Sequence, residues 1–469
     1  MIFALYFLFG GKSYINEDGQ LIVDGEPFFI MGFFADSPSS SYEDKIATLD
    51  SLSQSGFNTA KSSSVGEDWE TSSHLEYANQ SGIKLLYTGA LNNQWKDYHI
   101  NKMKTFKDAP GLLGWYIADD SHSMHPDTIK MYYEQAKRID SSHITTHSMA
   151  LSCWNDYGKD FIQERIKYCD VLQMQSYPIG KESIDEVYHD MRLTLEAAKR
   201  TKTPVVADLQ LFNWQLTGHD WGRWPTPREA DLMTWLAIIA GVDGYLYYTY
   251  YDKLAEPPQD LSNTQPQLWK TVKETAQMVN VIKNDLLDHI KFITFNPKSN
   301  VYYGQWITAN YSTVIAVNTS REDSLSVSIP IVEEHSNLNL LFQDRPGNLS
   351  IQGQFLRGKI GPMSVQFHRL FPDETQIKSE TRPVDLDMKV FPNPSNNRLK
   401  LRIEPGYSGK LDIKIYSIQG KLIVSKSAEV GALTKQIFSY PCNNLAAGIY
   451  LIQVKSKDFS ITQKWTYLP

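Results

Sequence analysis

Leu112-Leu113-Gly114-Trp115-Tyr116-Ile117-Ala118-Asp119-Asp120 is an unbroken apolar run that ends on two adjacent carboxylates. Such a run suits a strand buried on both faces, as in a parallel sheet covered by helices. Seven more strand-like runs accompany it, at residues 28–35, 58–62, 84–88, 145–150, 171–177, 204–211 and 244–250. Between them the apolar period lengthens to that of a helix. Ile129, Tyr132, Ala136 and Ile139 share one face, as do Ile184, Val187, Met191 and Leu195, and Val272, Ala276, Val279 and Ile282. Thr226-Pro227-Arg228-Glu229 is a capping box with proline at the first helical position, and Gly56, Gly82 and Gly241 fall where helices should stop. Eight strand–helix units over about 260 residues predict a closed (β/α)8 TIM barrel, whose usual size is ~250. An open doubly wound sheet normally carries a glycine-rich phosphate loop after its first strand, and Gly32-Phe33-Phe34-Ala35-Asp36 is not one.

Outward from the barrel, residues 14–28 read as a hairpin, with Glu17-Asp18-Gly19 and Asp24-Gly25-Glu26-Pro27 as its turns. It is placed to floor the barrel. After His289 the period falls to two, with strands expected at 313–318, 325–331, 338–342 and 363–367. The expected architecture is α/β: a barrel over 14–289, a β-sandwich over 290–371, a polar linker over 372–384 and a small all-β unit over 385–469. Residues 1–13 contain an apolar run too short to span a bilayer as a helix, which needs ~20 residues, and read as a truncated signal peptide. No other stretch suits a transmembrane segment.

The chain of 469 residues has a net charge of -7, which disfavours nucleic acid or an anionic membrane as partner. Its three cysteines, Cys153, Cys169 and Cys442, are too few and too scattered for a disulfide framework and read as buried thiols. The 11 Trp and 26 Tyr include several in expected loops, where flat aromatic faces suit sugar rings. His143 and His147 lack a further ligand, and His122 and His125 read as local hydrogen bonders; no metal and no cofactor are expected.

In a barrel of this kind chemistry gathers at the C-terminal ends of the strands. Those ends carry Asp36 (strand one), Lys61 (two), Asn92 (three), Asp119 and Asp120 (four). Strand six adds Gln175 and Tyr177, strand seven Gln210 and Trp214, and strand eight Tyr250 and Asp252. Carboxylates for proton transfer, amides for hydroxyls and rings for stacking make a sugar site. Asp119 and Asp120 are the catalytic candidates; Asp36, Tyr177, Gln210, Trp214, Tyr250 and Asp252 are the candidates for substrate binding. Trp214, Trp221 and Trp224 share one loop and read as the wall of a sugar subsite.

Two resemblances sharpen this. Val390-Phe391-Pro392-Asn393-Pro394, Tyr416-Ser417-Ile418-Gln419-Gly420-Lys421 and Ala447-Gly448-Ile449-Tyr450 resemble, in order and spacing, the type IX secretion C-terminal sorting domain. That implies export to the cell surface or beyond, with the secretion machinery as partner. Gly114-Trp115-Tyr116-Ile117-Ala118-Asp119-Asp120, Ser176-Tyr177-Pro178 and Gly244-Tyr245-Leu246-Tyr247-Tyr248-Thr249-Tyr250 resemble clan A (β/α)8-barrel glycoside hydrolases. The resemblance puts the family's acid/base glutamate on Asp120. It also implies a nucleophilic glutamate at the end of strand seven, where this chain reads Ala207-Asp208-Leu209-Gln210-Leu211-Phe212. An amide at Gln210 is neither nucleophile nor base. Asp208 shares its facing but should lie two residues deeper, ~6–7 Å.

Three readings of the carboxylates remain open. Asp120 works with Asp36 or Asp252 from a neighbouring strand; or Asp119 and Asp120 divide the work, which needs a bulge because adjacent strand residues face opposite ways; or the site binds sugar without hydrolysis. The expected function is a secreted glycoside hydrolase, and the alternative is a non-catalytic carbohydrate-binding barrel.

Overall fold

The computed structural model describes residues 11–36, 40–63, 66–88, 96–150, 158–255, 259–295, 300–331, 335–341, 347–372, 386–391, 398–405, 409–417, 421–430, 436–441, 445, 448–455 and 460–467. Residues 1–10 of the expected signal peptide, Asn92, Cys153, Cys442 and residues 373–384 of the expected linker lie outside these. The chain forms two compact units, Met1–Asp373 and Glu374–Pro469.

The first unit opens with a three-stranded meander, β1 (Ser13–Ile15), β2 (Leu21–Val23) and β3 (Glu26–Pro27). Asp24 and Gly25 turn between β2 and β3 at φ 53 and 89, the left-handed pair that a two-residue hairpin turn requires. Eight parallel strands then close a barrel: β4 (Ile30–Phe34), β5 (Thr59–Ser62), β6 (Lys84–Thr88), β7 (Leu112–Ala118), β8 (Ile144–Ala150), β9 (Val171–Ser176), β10 (Val205–Gln210) and β11 (Gly244–Tyr248). These are barrel strands one to eight. The helices between them are α1 (Tyr42–Gln54), α2 (Asp68–Ser81), α3 (Lys96–Phe106), α4 (Pro126–Ile139), α5 (Lys159–Ile166), α6 (Glu186–Ala198) and α7 (Pro227–Ala240).

Side-chain alternation sorts the strands into two layers. Ile30, Phe34, Leu86, Leu113, Ile144, Val171, Val206 and Leu246 point inward and pack with Leu21 and Val23 of the meander. The hairpin therefore plugs the lower end of the barrel with apolar side chains, each worth ~1.5–3 kcal/mol when fully buried. The alternate residues face outward onto the helices.

Helix α7 departs from the amphipathic pattern because it is buried from Glu229 to Ala240. One side lies on the barrel, and on the other Trp235 meets Phe367 edge-on at 4.6 Å. Its capping box forms as the sequence indicates, with Glu229 also held by Arg223 at 2.7 Å and Arg321 at 3.0 Å.

A short excursion, β12 (Tyr251–Asp252), β13 (Gln259–Asp260) and α8 (Leu261–Thr264), leads into the long α9 (Pro266–Leu287). Next come β14 (Lys291–Phe295), β15 (Val301–Ile307), β16 (Ser312–Asn318), β17 (Leu325–Pro330), β18 (His335–Leu340), β19 (Ser350–Gln352), β20 (Phe355–Ile360) and β21 (Ser364–Pro372). They form a five-stranded sheet, β14-β15-β16-β21-β18, and a three-stranded one, β17-β20-β19, which share a buried cluster including Val314, Ile329, Leu356 and Leu370. Four of these strands are absent from the sequence reading. In β15, six of seven residues are buried, so the alternation that marks a half-exposed strand is missing.

The second unit is all β: β22 (Leu386–Phe391), β23 (Arg398–Pro405), β24 (Gly409–Ser417), β25 (Leu422–Val430), β26 (Gln436–Pro441), β27 (Gly448–Lys455) and β28 (Ser460–Tyr467). Sheets β22-β23-β26 and β25-β24-β27-β28 enclose Leu401, Ile403, Leu411, Ile452, Val454 and Trp465.

Candidate active site

Strand β7 resolves the facing problem of its two carboxylates. Its register against β8 slips between Tyr116 and Ala118, a bulge, and Asp120 then takes a left-handed conformation at φ 47, ψ 41. Asp119 and Asp120 thereby both stand exposed at the barrel mouth and join one network. Oδ1 of Asp119 accepts from the Tyr116 hydroxyl at 2.5 Å and Ser148 Oγ at 2.9 Å. The Asp120 N–H donates to that same oxygen at 3.1 Å. Gln175 Nε2 spans Asp120 Oδ1 and Ser148 Oγ, 3.0 Å from each. Partial burial raises the pKa of Asp120, the neighbouring Asp119 adds to this, and Gln175 and His122 oppose it. Asp120 thus keeps its proton to higher pH than a free carboxyl, as a general acid must.

Three strands away, Asp36 is fixed by Ser62 Oγ and the Ser63 N–H, both at 2.5 Å, and burial raises its carboxyl. Between Asp36 and Asp119 comes Lys61 of β5. Its Nζ lies 4.6 Å from the Phe34 ring centre and 4.4 Å from that of Tyr116. Burial lowers its amine, while the charges of Asp119, Asp36 and Asp208 pull the other way.

Strand seven behaves differently. Asp208 pairs in register with Gln175 of β9, so it lies at the level of the network. The depth expected from counting back along β10 is offset by the stagger of barrel strands. Asp208 is fully buried, neither oxygen has a hydrogen bond, and burial followed by Asp119 pushes its carboxyl far up. Gln210 is also fully buried, but its amide is saturated by backbone: it accepts from Ile179 N at 2.8 Å and donates to the carbonyls of Ile179 at 3.3 Å and Phe212 at 3.1 Å. It clamps two loops together and has no group left for a substrate.

The remaining expected residues divide. Tyr177 and Trp214 form a buried aromatic cluster with Phe212, against which Tyr248 packs. Trp214 Nε1 is buried without a partner, and Trp221 is 44% exposed and stacks on His219 at 4.8 Å. Tyr250 belongs to the outer layer, edge-on to Phe33 and Trp269, and burial pushes its hydroxyl up to about 12. Asp252 is buried and accepts from the Leu254 N–H at 3.0 Å, closing a turn. Neither Tyr250 nor Asp252 joins the carboxylate network.

Three participants escaped the sequence reading. Tyr248 faces inward, edge-on to Phe34 at 5.1 Å, and its hydroxyl accepts from Lys253 at 2.7 Å. Alternation from the inward Leu246 marks Tyr248 as an inward ring, whereas Tyr250, of the same parity, lies past the end of the strand, where alternation no longer applies. Ser148 follows by the same counting from Ile144, and Tyr116 by counting from Gly114, where β7 resumes its pairing with β6 after a register shift that skips Leu113.

The histidines are occupied elsewhere. His143 Nδ1 lies 2.8 Å from Asp140, which also accepts from Trp115 Nε1, and His147 Nδ1 lies 2.8 Å from Ser121 Oγ. Cys169 is a buried free thiol. Among the described residues no cluster of His, Cys, Asp or Glu is arranged to hold a metal, and no helix is long and apolar enough to cross a membrane.

Residues 389–467 match the family described as the secretion system C-terminal sorting domain. Among solved structures, a family 5 glycoside hydrolase from Bacteroides vulgatus superposes with a TM-score of 0.56 at 14% identity, covering 79% of this chain and 96% of its own. A second glycoside hydrolase gives 0.54 at 11% identity, covering 78% and 98%. No curated protein matches the chain. At such identities the structural likeness establishes the fold. The chain is therefore a (β/α)8 barrel with the fold of glycoside hydrolases that carries a type IX secretion sorting domain, and it is secreted or attached to the cell surface.

Proposed function

We propose that the barrel hydrolyses glycosidic bonds of an oligo- or polysaccharide, with Asp120 as general acid. The observation that carries this reading is the bulged end of β7, which turns Asp119 and Asp120 together to the mouth and raises the Asp120 carboxyl. Asp120 protonates the leaving oxygen. Asp119, gripped by Tyr116 and Ser148, bears the charge that stabilises the developing oxocarbenium and takes the proton of the attacking water. Asp36, Tyr177 and Tyr248 line the mouth toward the sugar. Residues 14–289 are the catalytic barrel, 290–371 a supporting sandwich, 372–384 a linker and 385–469 the export domain, which takes no part in catalysis.

A second reading, a carbohydrate-binding barrel without hydrolysis, is favoured by one feature: strand seven presents a saturated amide and a buried carboxyl where a reactive carboxylate is needed. A panel of aryl glycosides and polysaccharides separates the two. Turnover of any member that disappears in Asp120→Asn, with binding retained, supports hydrolysis. Binding without turnover across the panel supports the second reading, and full activity of Asp120→Asn removes Asp120 from the mechanism.

A further inference from the structure

Two lysines at the barrel mouth have no part in the mechanism above. Lys61 pairs in register with Phe34 and Leu86, both of which point into the barrel, so its side chain points inward as well. It is half-buried, and its Nζ lies 4.6 Å from the centre of the Phe34 ring and 4.4 Å from that of Tyr116. Ring faces attract a charged ammonium, so this seat favours the protonated amine. Burial works the other way, and the charges of Asp119, Asp36 and Asp208 act with the rings. Lys253 is exposed just past strand eight, its Nζ 4.7 Å from the centre of the Tyr248 ring and 2.7 Å from the hydroxyl. Tyr248 meets Phe34 edge-on at 5.1 Å, so one line of rings joins the two lysines.

Among the described residues Lys61 makes no hydrogen bond and no ion pair. The nearby carboxylates do not depend on it. Asp36 has donors in Ser62 and Ser63, and Asp119 has them in Tyr116, Ser148 and the Asp120 N–H. Lys61 and Lys253 are also close enough to repel each other. An anion beside them relieves that repulsion and takes up the free N–H donors of Lys61.

We propose that Lys61 and Lys253 recognise the anionic group of an acidic sugar, a uronate carboxylate or a sulfate ester. The Tyr116 ring beside Lys61 carries the hydroxyl that Asp119 accepts at 2.5 Å, so the ammonium and Asp119 lie on one phenol ring. A pyranose unit with a charged substituent spans a comparable length and reaches from Asp119 to Lys61. Burial raises the carboxyls of Asp36, Asp120 and Asp208, which eases their repulsion of an incoming anion. A neutral sugar leaves the ammonium without its counter-charge, and the site discriminates against it. This inference rests on the reading of the mouth as a sugar site, and it holds whether the glycosidic bond is cleaved or only bound.

The test is titration calorimetry on the full chain. The probes are oligosaccharides of galacturonate, glucuronate and mannuronate with their methyl esters, and sulfated galactan oligosaccharides with their desulfated counterparts. A charged probe should bind about tenfold tighter than its neutral counterpart, which keeps the skeleton and lacks the charge. Lys61→Met keeps the apolar bulk and should abolish that preference, whereas Lys61→Arg should retain it. Lys253→Met should weaken it by a smaller factor, because that amine is exposed. A preference confined to the uronates assigns a carboxylate, and one confined to the sulfated probes assigns a sulfate ester; either supports the proposal. Equal affinity for charged and neutral members overturns it and leaves the sugar site standing, and so does a preference that survives Lys61→Met in full. Binding of no member overturns it together with the sugar site. The charged and neutral probes are compared on the unaltered protein, so the result stands even if Lys61→Met folds poorly.

Discussion

Barrel strands four and seven both carry an inward carboxyl at the level of Gln175, yet the protein treats them in opposite ways. On β7 a bulge and a left-handed residue bring Asp119 and Asp120 out to solvent, where Tyr116, Ser148 and Gln175 supply donors. On β10 the strand stays regular, and Asp208 is shut in without a donor while Gln210 is spent on backbone. The difference teaches that position on a barrel does not confer reactivity. A carboxylate becomes useful when the backbone delivers it to the mouth and neighbouring donors hold it there. The same burial that makes Asp208 unreactive makes it a cost to the fold.

The largest expected effect breaks the strand-four side. Asp120→Asn should lower kcat on any substrate of the panel by about 10²–10⁴, the usual contribution of a positioned acid, with stability little changed because the side chain is exposed. A kcat within about threefold of the unaltered protein would make the two strand ends equally inert. On the strand-seven side, Gln210→Ala should cost about 2–4 kcal/mol, since it orphans the buried Ile179 N–H and two carbonyls. Calorimetry reads this directly. Gln210→Glu does not restore a nucleophile: its new oxygen would face the carbonyls of Ile179 and Phe212, so it too should destabilise without raising turnover.

Most of the barrel is legible in the sequence, because eight buried parallel strands leave eight apolar runs whose punctuation, such as Gly82 and Gly241 at helix ends, is chemical. Of the site, the carboxylates of strand four are legible but their facing is not. Alternation predicts opposite sides, and only the slip between Tyr116 and Ala118 reverses it, a backbone event with no residue signature of its own. The fates of Asp208 and Gln210 were hidden for another reason. Depth along one strand is countable, but the stagger between strands is a property of the closed barrel. Tyr250 is a simpler case: the strand ends at Tyr248, and counting past its end puts an outer-layer ring at the mouth.

Asp208→Asn tests the cost of burying an unpartnered carboxyl. Burial raises the carboxyl of the folded protein well above its ordinary value of 3.8, so the folded protein holds a proton that the unfolded chain releases as pH rises. The contribution to stability is therefore full below pH 3.8 and lost progressively above it, toward the raised folded value. The amide cannot ionise, so the variant should be more stable at pH 7, by about 1–2 kcal/mol, with a flatter dependence on pH. Equal slopes for both proteins above pH 4 would mean that Asp208 finds a partner in solution.

The smallest effect probes how finely strand four is tuned by its neighbour. Gln175 donates to Asp120 Oδ1 at 3.0 Å, a bond that favours the charged carboxylate and so lowers its pKa against burial and Asp119. Gln175→Ala removes that donor, and the Asp120 pKa should climb further. If Asp120 acts as the acid, activity falls where Asp120 loses its proton, so the alkaline limb of the kcat profile should move to higher pH. The same substitution also frees Ser148 Oγ, which keeps its bond to Asp119 at 2.9 Å, so the rate at the optimum should change by only a few-fold. A limb that stays in place while the rate falls would separate geometry from proton affinity. Gln175 would then be a strut for Ser148, and the limb would belong to another group, such as Asp36.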